Sequence, residues 1–240
     1  PYVNGSHAKT VVQNEAQAFE AGYQFGLFTS VLNGLNANDL KITIPDFHNL
    51  NLRYHQFSEA IVKGNAQRIA ETKEAISFLA AHKKYVDIYS AFIHHAEVKK
   101  RVTHHDTKIS NVLFKDEEAI CVIDLDTTMP GYFISDVGDM CRTYLCPVNE
   151  ACQDLDQIKI LPERWTAIQN GYLKAMGEFL TSFEKDHFAF SGQSIIYMQA
   201  LRFLTDYLQL DPYYKVDRPS QNLDRTLNQN QLLIEFNHIL

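Results

Sequence analysis

Two short β-prone runs, Val112-Leu113-Phe114 and the stretch 119–123, flank the polar tetrapeptide Lys115-Asp116-Glu117-Glu118 and read as a hairpin. They stand alone in a chain otherwise patterned for helix. Over 14–35, Phe19, Tyr23, Leu27 and Val31 recur at fours as one apolar stripe, with Gly34 as a stop. A loop punctuated by Pro45 follows over 42–50, then helices over 52–62, 66–83 (Ile69, Ile76, Leu79) and 85–98. After Pro147 helices return over 164–183, with Trp165, Ile168, Tyr172 and Met176 on one face, and over 193–208 and 224–236. The pattern predicts an α+β fold, mainly α, with a small central hairpin.

The chain has 240 residues, 45% of them hydrophobic, enough to bury a sizeable core as one domain or two closely joined lobes. It shows no repeat, low-complexity tract or flexible linker. The net charge is −7 and no basic stripe occurs, which argues against nucleic acid and anionic membrane as partners. No apolar run reaches the roughly 18 residues of a membrane span, and no signal peptide is visible. Cys121, Cys141, Cys146 and Cys152 form no Cys-x-x-Cys pair, so a reduced, cytoplasmic setting is expected, with Cys121 as a small buried hydrophobe. Nothing in the sequence sets an oligomeric state.

Chemistry-bearing residues gather around the hairpin. His104-His105-Asp106-Thr107-Lys108-Ile109-Ser110-Asn111 fits H-x-D-x-x-x-x-N, and Val122-Ile123-Asp124-Leu125-Asp126 lies at the hairpin's far end. Phosphoryl transfer needs a carboxylate at the attacking hydroxyl and oxygen ligands for the magnesium that neutralises the triphosphate. A tight loop followed by a hairpin can bring Asp106, Asn111 and Asp124 to one edge. Asp126 shares a face with Asp124 if the strand continues, as a further metal ligand or a substrate contact. Either motif alone is weak, since Asp and Asn often serve turns; two in order across a β-β unit are far more specific.

Together these residues resemble the aminoglycoside-phosphotransferase and choline-kinase superfamily, protein-kinase-like in fold, and within it the N-acetylhexosamine 1-kinase type of sugar kinase. The resemblance runs through Thr103-His104-His105-Asp106-Thr107-Lys108, Cys121 onward to Thr127-Thr128-Met129-Pro130-Gly131, and Asp136-Val137-Gly138-Asp139. It continues in Arg202-Phe203-Leu204-Thr205-Asp206-Tyr207-Leu208 and touches Ile44-Pro45-Asp46-Phe47-His48-Asn49. It implies Asp106 as catalytic base and Asn111 and Asp124 as magnesium ligands, with ATP as co-substrate. It implies His104 as support for the metal-binding strand and Asp136 as the buried anchor of the catalytic loop. Arg202 and Tyr213 resemble residues lining a sugar pocket; the plainer readings are an ion pair between Arg202 and Asp206, and packing of Tyr213 within Pro212-Tyr213-Tyr214.

The chain then corresponds to a kinase-like C-terminal lobe. Residues 1–10 would end the inter-lobe hinge, 11–100 form helices, 101–146 hold the catalytic loop and metal hairpin, and 147–240 form a helical substrate-binding part. No Gly-rich loop appears, Pro1-Tyr2-Val3 resembles the tail of a hinge strand, and the nucleotide-covering lobe is not represented. The 240 residues by themselves are expected to show little turnover. His105 stands where the family commonly has a small or amide residue.

The expected acceptor is a small hydroxylated molecule, a sugar such as an N-acetylhexosamine phosphorylated at C1. Arginine suits hydroxyl or acyl oxygens and would repel a cationic amine. Aminoglycoside, choline or homoserine acceptors are the alternatives within the class. Outside it stand a kinase-like binding module without activity, and an HD-type metal phosphohydrolase using His94-His95 and His104-His105-Asp106 as ligands. The β-prone flanks of His105-Asp106 disfavour the hydrolase.

Overall fold

The computed structural model describes residues 2–240. Ten α-helices and five short strands follow one another among these residues. Strand β1 (His7–Ala8) leads to α1 (Glu15–Val31), α2 (Leu50–Lys63), α3 (Ala66–Glu71), α4 (Lys73–Ala81) and α5 (Lys84–Ile93). Then come β2 (Arg101–Thr103), β3 (Val112–Lys115), β4 (Glu118–Val122), β5 (Met129–Gly131) and α6 (Phe133–Tyr144). The chain closes with α7 (Pro162–Met176), α8 (Ser182–Asp186), α9 (Phe188–Leu208) and α10 (Gln221–Ile239). The architecture is mainly α with two small antiparallel sheets, β1-β3-β4 and β2-β5.

The expected hairpin is β3-β4, in the register Val112↔Val122 with an irregularity between Leu113 and Phe114. Its turn is polar, and Asp116 adopts a left-handed φ of 53°. Phe114 and Ala119 turn into the core while Leu113 and Ile120 stay half-exposed. Cys121 is likewise half-exposed rather than buried. Tyr2 and Val3 lie in no strand, and Pro1 is outside the described residues. The first strand is instead β1, against β3.

Helix α9, 21 residues long, is the central beam, packed by α2, α6 and α10. At its crossing with α6, a Cβ on Gly138 would come within 2.3 Å of Ser191 O and of Ile195, so only glycine permits this approach. Close packing at this point holds α6, which carries Asp136 and Asp139, at a set distance from α9, which carries Arg202.

Three helix expectations change. The buried face of α1 is Ala18, Ala21, Gly22, Phe25 and Gly26, not the stripe of Phe19, Tyr23, Leu27 and Val31, whose last member is 73% exposed. Close approach to α7 selects small residues, and the bulky ones are left to flank the contact. The helix expected over 66–83 is two, α3 and α4, broken at Thr72, whose hydroxyl donates to Arg68 O at 2.7 Å. The helix expected over 164–183 ends at Met176, and a capping box of Thr181 and Glu184 starts α8.

Candidate active site

The segment 104–108 leaves β2 as a loop and enters a single 3-10 turn, Ile109–Asn111, before β3. Asp136, at the start of α6 and fully buried, holds it by accepting the backbone N–H groups of His104 at 3.1 Å and His105 at 2.7 Å. Burial pushes this carboxyl up to about 6, although His104 and the two amides pull it down. Thr107 adds a hydroxyl bond to Asp136 O at 2.7 Å, and the Tyr144 hydroxyl donates to Thr107 O.

His104 ties this loop to the end of the hairpin. Its Nε2–H donates to Ile123 O at 2.9 Å, which leaves Nδ1 to accept the Asp106 N–H at 3.3 Å. Ile123 N donates in turn to Asn111 O at 2.9 Å. Asn111 and Asp124 therefore lie side by side, one on each arm of the unit.

Asp106, Asn111 and Asp124 do converge. Asn111 Nδ2 donates to Asp106 Oδ2 at 3.0 Å and to Asp106 O at 2.9 Å. Lys108 Nζ lies 2.7 Å from Asp106 Oδ2 and 4.0 Å from Asp124 Oδ2. Both bonds to Asp106 use Oδ2, so Oδ1 remains for another partner. Because Asn111 binds through Nδ2, its Oδ1 is left as a hard oxygen donor beside the half-exposed Asp124 carboxylate, a donor set that suits magnesium. Asp126 does not share a strand face with Asp124. The strand ends at Val122, Asp124 takes a left-handed φ of 63°, and Asp126 falls in the 3-10 turn Leu125–Thr127 as an exposed side chain.

From Asp106 a cavity of about 260 Å³ runs to Arg202 and Tyr213. Arg202 makes no ion pair with Asp206. Its guanidinium sits among three rings, 5.6 Å from the centres of Phe47 and Tyr213 and 5.4 Å from Tyr214, and donates to Gln199 at 3.2 Å. The Asp206 carboxylate instead accepts the backbone N–H groups of Tyr213 at 2.8 Å and Tyr214 at 3.0 Å. Tyr213 is not core packing: it is 69% exposed, with its ring edge-on to Tyr214.

Several residues around this cavity escaped sequence reasoning. Lys108 stood inside the quoted motif, two places after Asp106, and its charge was the missed signal. His105 and His48 line the same wall. Thr103 gives its hydroxyl hydrogen to Met129 O at 3.2 Å and so accepts the Nε2–H of His105 at 2.7 Å. His105 Nδ1 is left as a buried acceptor without a partner among the described residues. Burial holds His105 neutral, down to about 4, and holds His48 well below its ordinary range. Asp139 takes Arg142 through Oδ1 at 3.0 Å and leaves Oδ2 unpartnered beside the cavity.

The histidines of the hydrolase alternative do not assemble. His94 Nδ1 bonds to Ser90 O at 2.7 Å, and His95 stacks on Phe183 with ring centres 3.6 Å apart. Among the described residues no three His, Cys, Asp or Glu side chains form a metal cluster. No helix among them is long and apolar enough to cross a membrane.

In solved structures the chain is similar to an ADP-bound aminoglycoside phosphotransferase, APH(2'')-Ib, at 12% identity and a TM-score of 0.46. The alignment covers 98% of this chain and 71% of that one. A family model described as "Phosphotransferase enzyme family" matches residues 1–159, which include α1, the loop of Asp106, the hairpin and α6. That match spans well over half of the sequence, and the chain therefore belongs to the phosphotransferase enzyme family.

Proposed function

We propose that the chain forms the catalytic and acceptor-binding part of an enzyme that transfers the γ-phosphoryl group of ATP to a hydroxyl of a sugar, such as the anomeric hydroxyl of an N-acetylhexosamine, with magnesium as the metal. The observation that carries this reading is one continuous cavity lined by Asp106 and by Arg202 and Tyr213. Asp106 Oδ1 orients the acceptor hydroxyl and takes its proton as the new P–O bond forms and the bond from the γ-phosphorus to the β–γ bridging oxygen breaks, releasing ADP. Asn111 Oδ1 and Asp124 would hold the metal, which would supply neutralisation of the triphosphate charge. Asp126, exposed in the turn Leu125–Thr127 just after Asp124, is the candidate for a further ligand. Lys108, between Asp106 and Asp124, offsets their mutual repulsion and the charge that develops on the transferred group. His104 and Asp136 keep the loop in register with the metal strand.

The far wall supports a sugar over choline and the aminoglycosides. Arg202 donates to hydroxyl or acyl oxygens, and the exposed face of Tyr213 offers a stacking surface for a ring. A choline-type ammonium would need the aromatic cage formed by Phe47, Tyr213 and Tyr214, and Arg202 already fills it. A polycationic aminoglycoside would meet the same guanidinium. Assaying a panel of sugars, aminoglycosides, choline and homoserine with ATP and magnesium, on a protein that joins this chain to a nucleotide-covering lobe, tests the proposal. Phosphorylation of a sugar is expected; turnover confined to amines would overturn it.

A further inference from the structure

Arg202 belongs to two cavities. Behind it, away from Asp106, a second cavity of about 340 Å³ opens between α2 and the C-terminal end of α9, sharing Arg202, Tyr213 and Tyr214 with the first. Arg53 of α2 lines it from the opposite side.

The charges here are unbalanced. Arg53 donates to Gln56 Oε1 at 3.0 Å and to the carbonyls of Asp46 and Phe47 at 2.9 and 3.3 Å, but to no carboxylate. Arg202 likewise has no ion-pair partner among the described residues. Two carboxylates line the cavity, and both are engaged elsewhere. Glu59 is held by Lys63 at 2.7 Å, and Asp206 is taken up by the amides of Tyr213 and Tyr214 and by Asn222 at 2.9 Å. Burial and then the charge of Arg202 pull the Arg53 guanidinium below its ordinary range, so the two cations face each other across weakly compensated space. Two polar atoms of lining residues, Arg53 Nε and Thr205 Oγ1, are buried without a partner among the described residues.

We propose that this outer cavity binds an oxyanion, a carboxylate, sulfate or phosphate group, carried by the acceptor on the side remote from the hydroxyl that Asp106 addresses. The inference rests on the assignment of the inner cavity to a sugar and narrows that sugar to an acidic one. A planar guanidinium matches an oxyanion geometrically, and Arg202 spends only Nη1 on Gln199, so its Nε and Nη2 donors are not taken by any described residue.

Calorimetric titration of the 240-residue chain, at constant ionic strength, tests this with four probes: N-acetylglucosamine, its 6-sulfate, glucuronic acid and sodium sulfate. At least one acidic sugar is expected to bind about tenfold or more tightly than the neutral one, as hydrogen bonds to charged groups commonly provide. Arg53→Gln should remove that advantage without changing the neutral sugar's affinity. Arg53→Lys, which keeps the charge but loses the planar fork, should keep only part of it. Equal binding of neutral and acidic sugars overturns the proposal, as does an Arg53→Gln variant that weakens both alike, which would make Arg53 only a brace for the loop of Phe47. Saturable binding of sulfate with no gain from attaching it to sugar would assign the site to a free anion and sink the acceptor claim. Sulfate binding with no sugar bound would leave the oxyanion site standing and refute the sugar reading itself.

Discussion

Asp136 reaches from the first turn of α6 to accept the backbone N–H of His105 at 2.7 Å, and this bond sets the conformation of the residue just before Asp106. His105 has a left-handed φ of 68°, which a non-glycine residue holds only when its surroundings impose it. Asp136 also takes the His104 amide, so one buried carboxylate fixes two consecutive peptides.

Replacing Asp136 by Asn leaves one of those amides facing an NH2 group. The cost is about 1–3 kcal/mol, an unpaired buried donor, measured by urea unfolding. Because burial raises the folded carboxyl from 3.8 to about 6, its stabilising contribution is full below the unfolded value and is lost as pH rises through about 6. The gap between native chain and variant should therefore narrow from pH 4 to pH 7. A gap that widens would mean that the carboxylate is held ionised.

With the nucleotide-covering lobe joined to this chain, Asp106→Asn should lower kcat by about 10²–10⁴-fold, the usual contribution of a positioned general base, while ATP affinity changes little. Asn can still meet Lys108 and Asn111 but cannot take a proton. Single-turnover kinetics beside a nucleotide titration separates the two effects; a fully active variant would remove Asp106 from the chemistry.

Asp206→Asn should act on the acceptor alone. Its carboxylate holds the amides of both Tyr213 and Tyr214 just after two left-handed residues, Leu210 and Asp211. With one acceptor lost the tyrosine wall loosens. Acceptor KM should rise roughly tenfold, as for a lost charge-assisted hydrogen bond, with kcat and the KM for ATP little changed. A fall in kcat at unchanged KM would contradict the positioning role.

Gly131→Ala should disturb the loop from the neighbouring strand. The new Cβ would lie 2.2 Å from Thr103 Oγ1 and 2.4 Å from His105 Cε1. Neither side chain can retreat without giving up the bond between them, so a loss of about 1–3 kcal/mol is expected from overpacking, read as a lower thermal midpoint. An unchanged midpoint would show that the His105 ring is not confined.

Local pattern was enough to read the hairpin, the mainly helical body and the convergence of Asp106, Asn111 and Asp124. All three follow from residues within one short stretch, where turn chemistry and strand pairing leave few arrangements. Periodicity failed at α1, because close helix contact buries small side chains there and turns the obvious stripe outward. It failed again at Asp126, because a single left-handed residue, Asp124, ended the extended chain two places earlier than alternation assumes.

The acceptor cavities belong to tertiary structure alone. Phe47 and Arg53 come from one end of the chain, Asp139 from α6, and Arg202 and Tyr213 from the other end; α2 packs on α9 to bring the first to the last, and glycine at 138 lets α6 close onto α9 to add Asp139. Sequence names arginine and tyrosine without saying which charges they will meet. That Arg202 meets rings instead of Asp206, and that Arg53 faces it with no acid between them, is decided by packing over more than a hundred residues of separation.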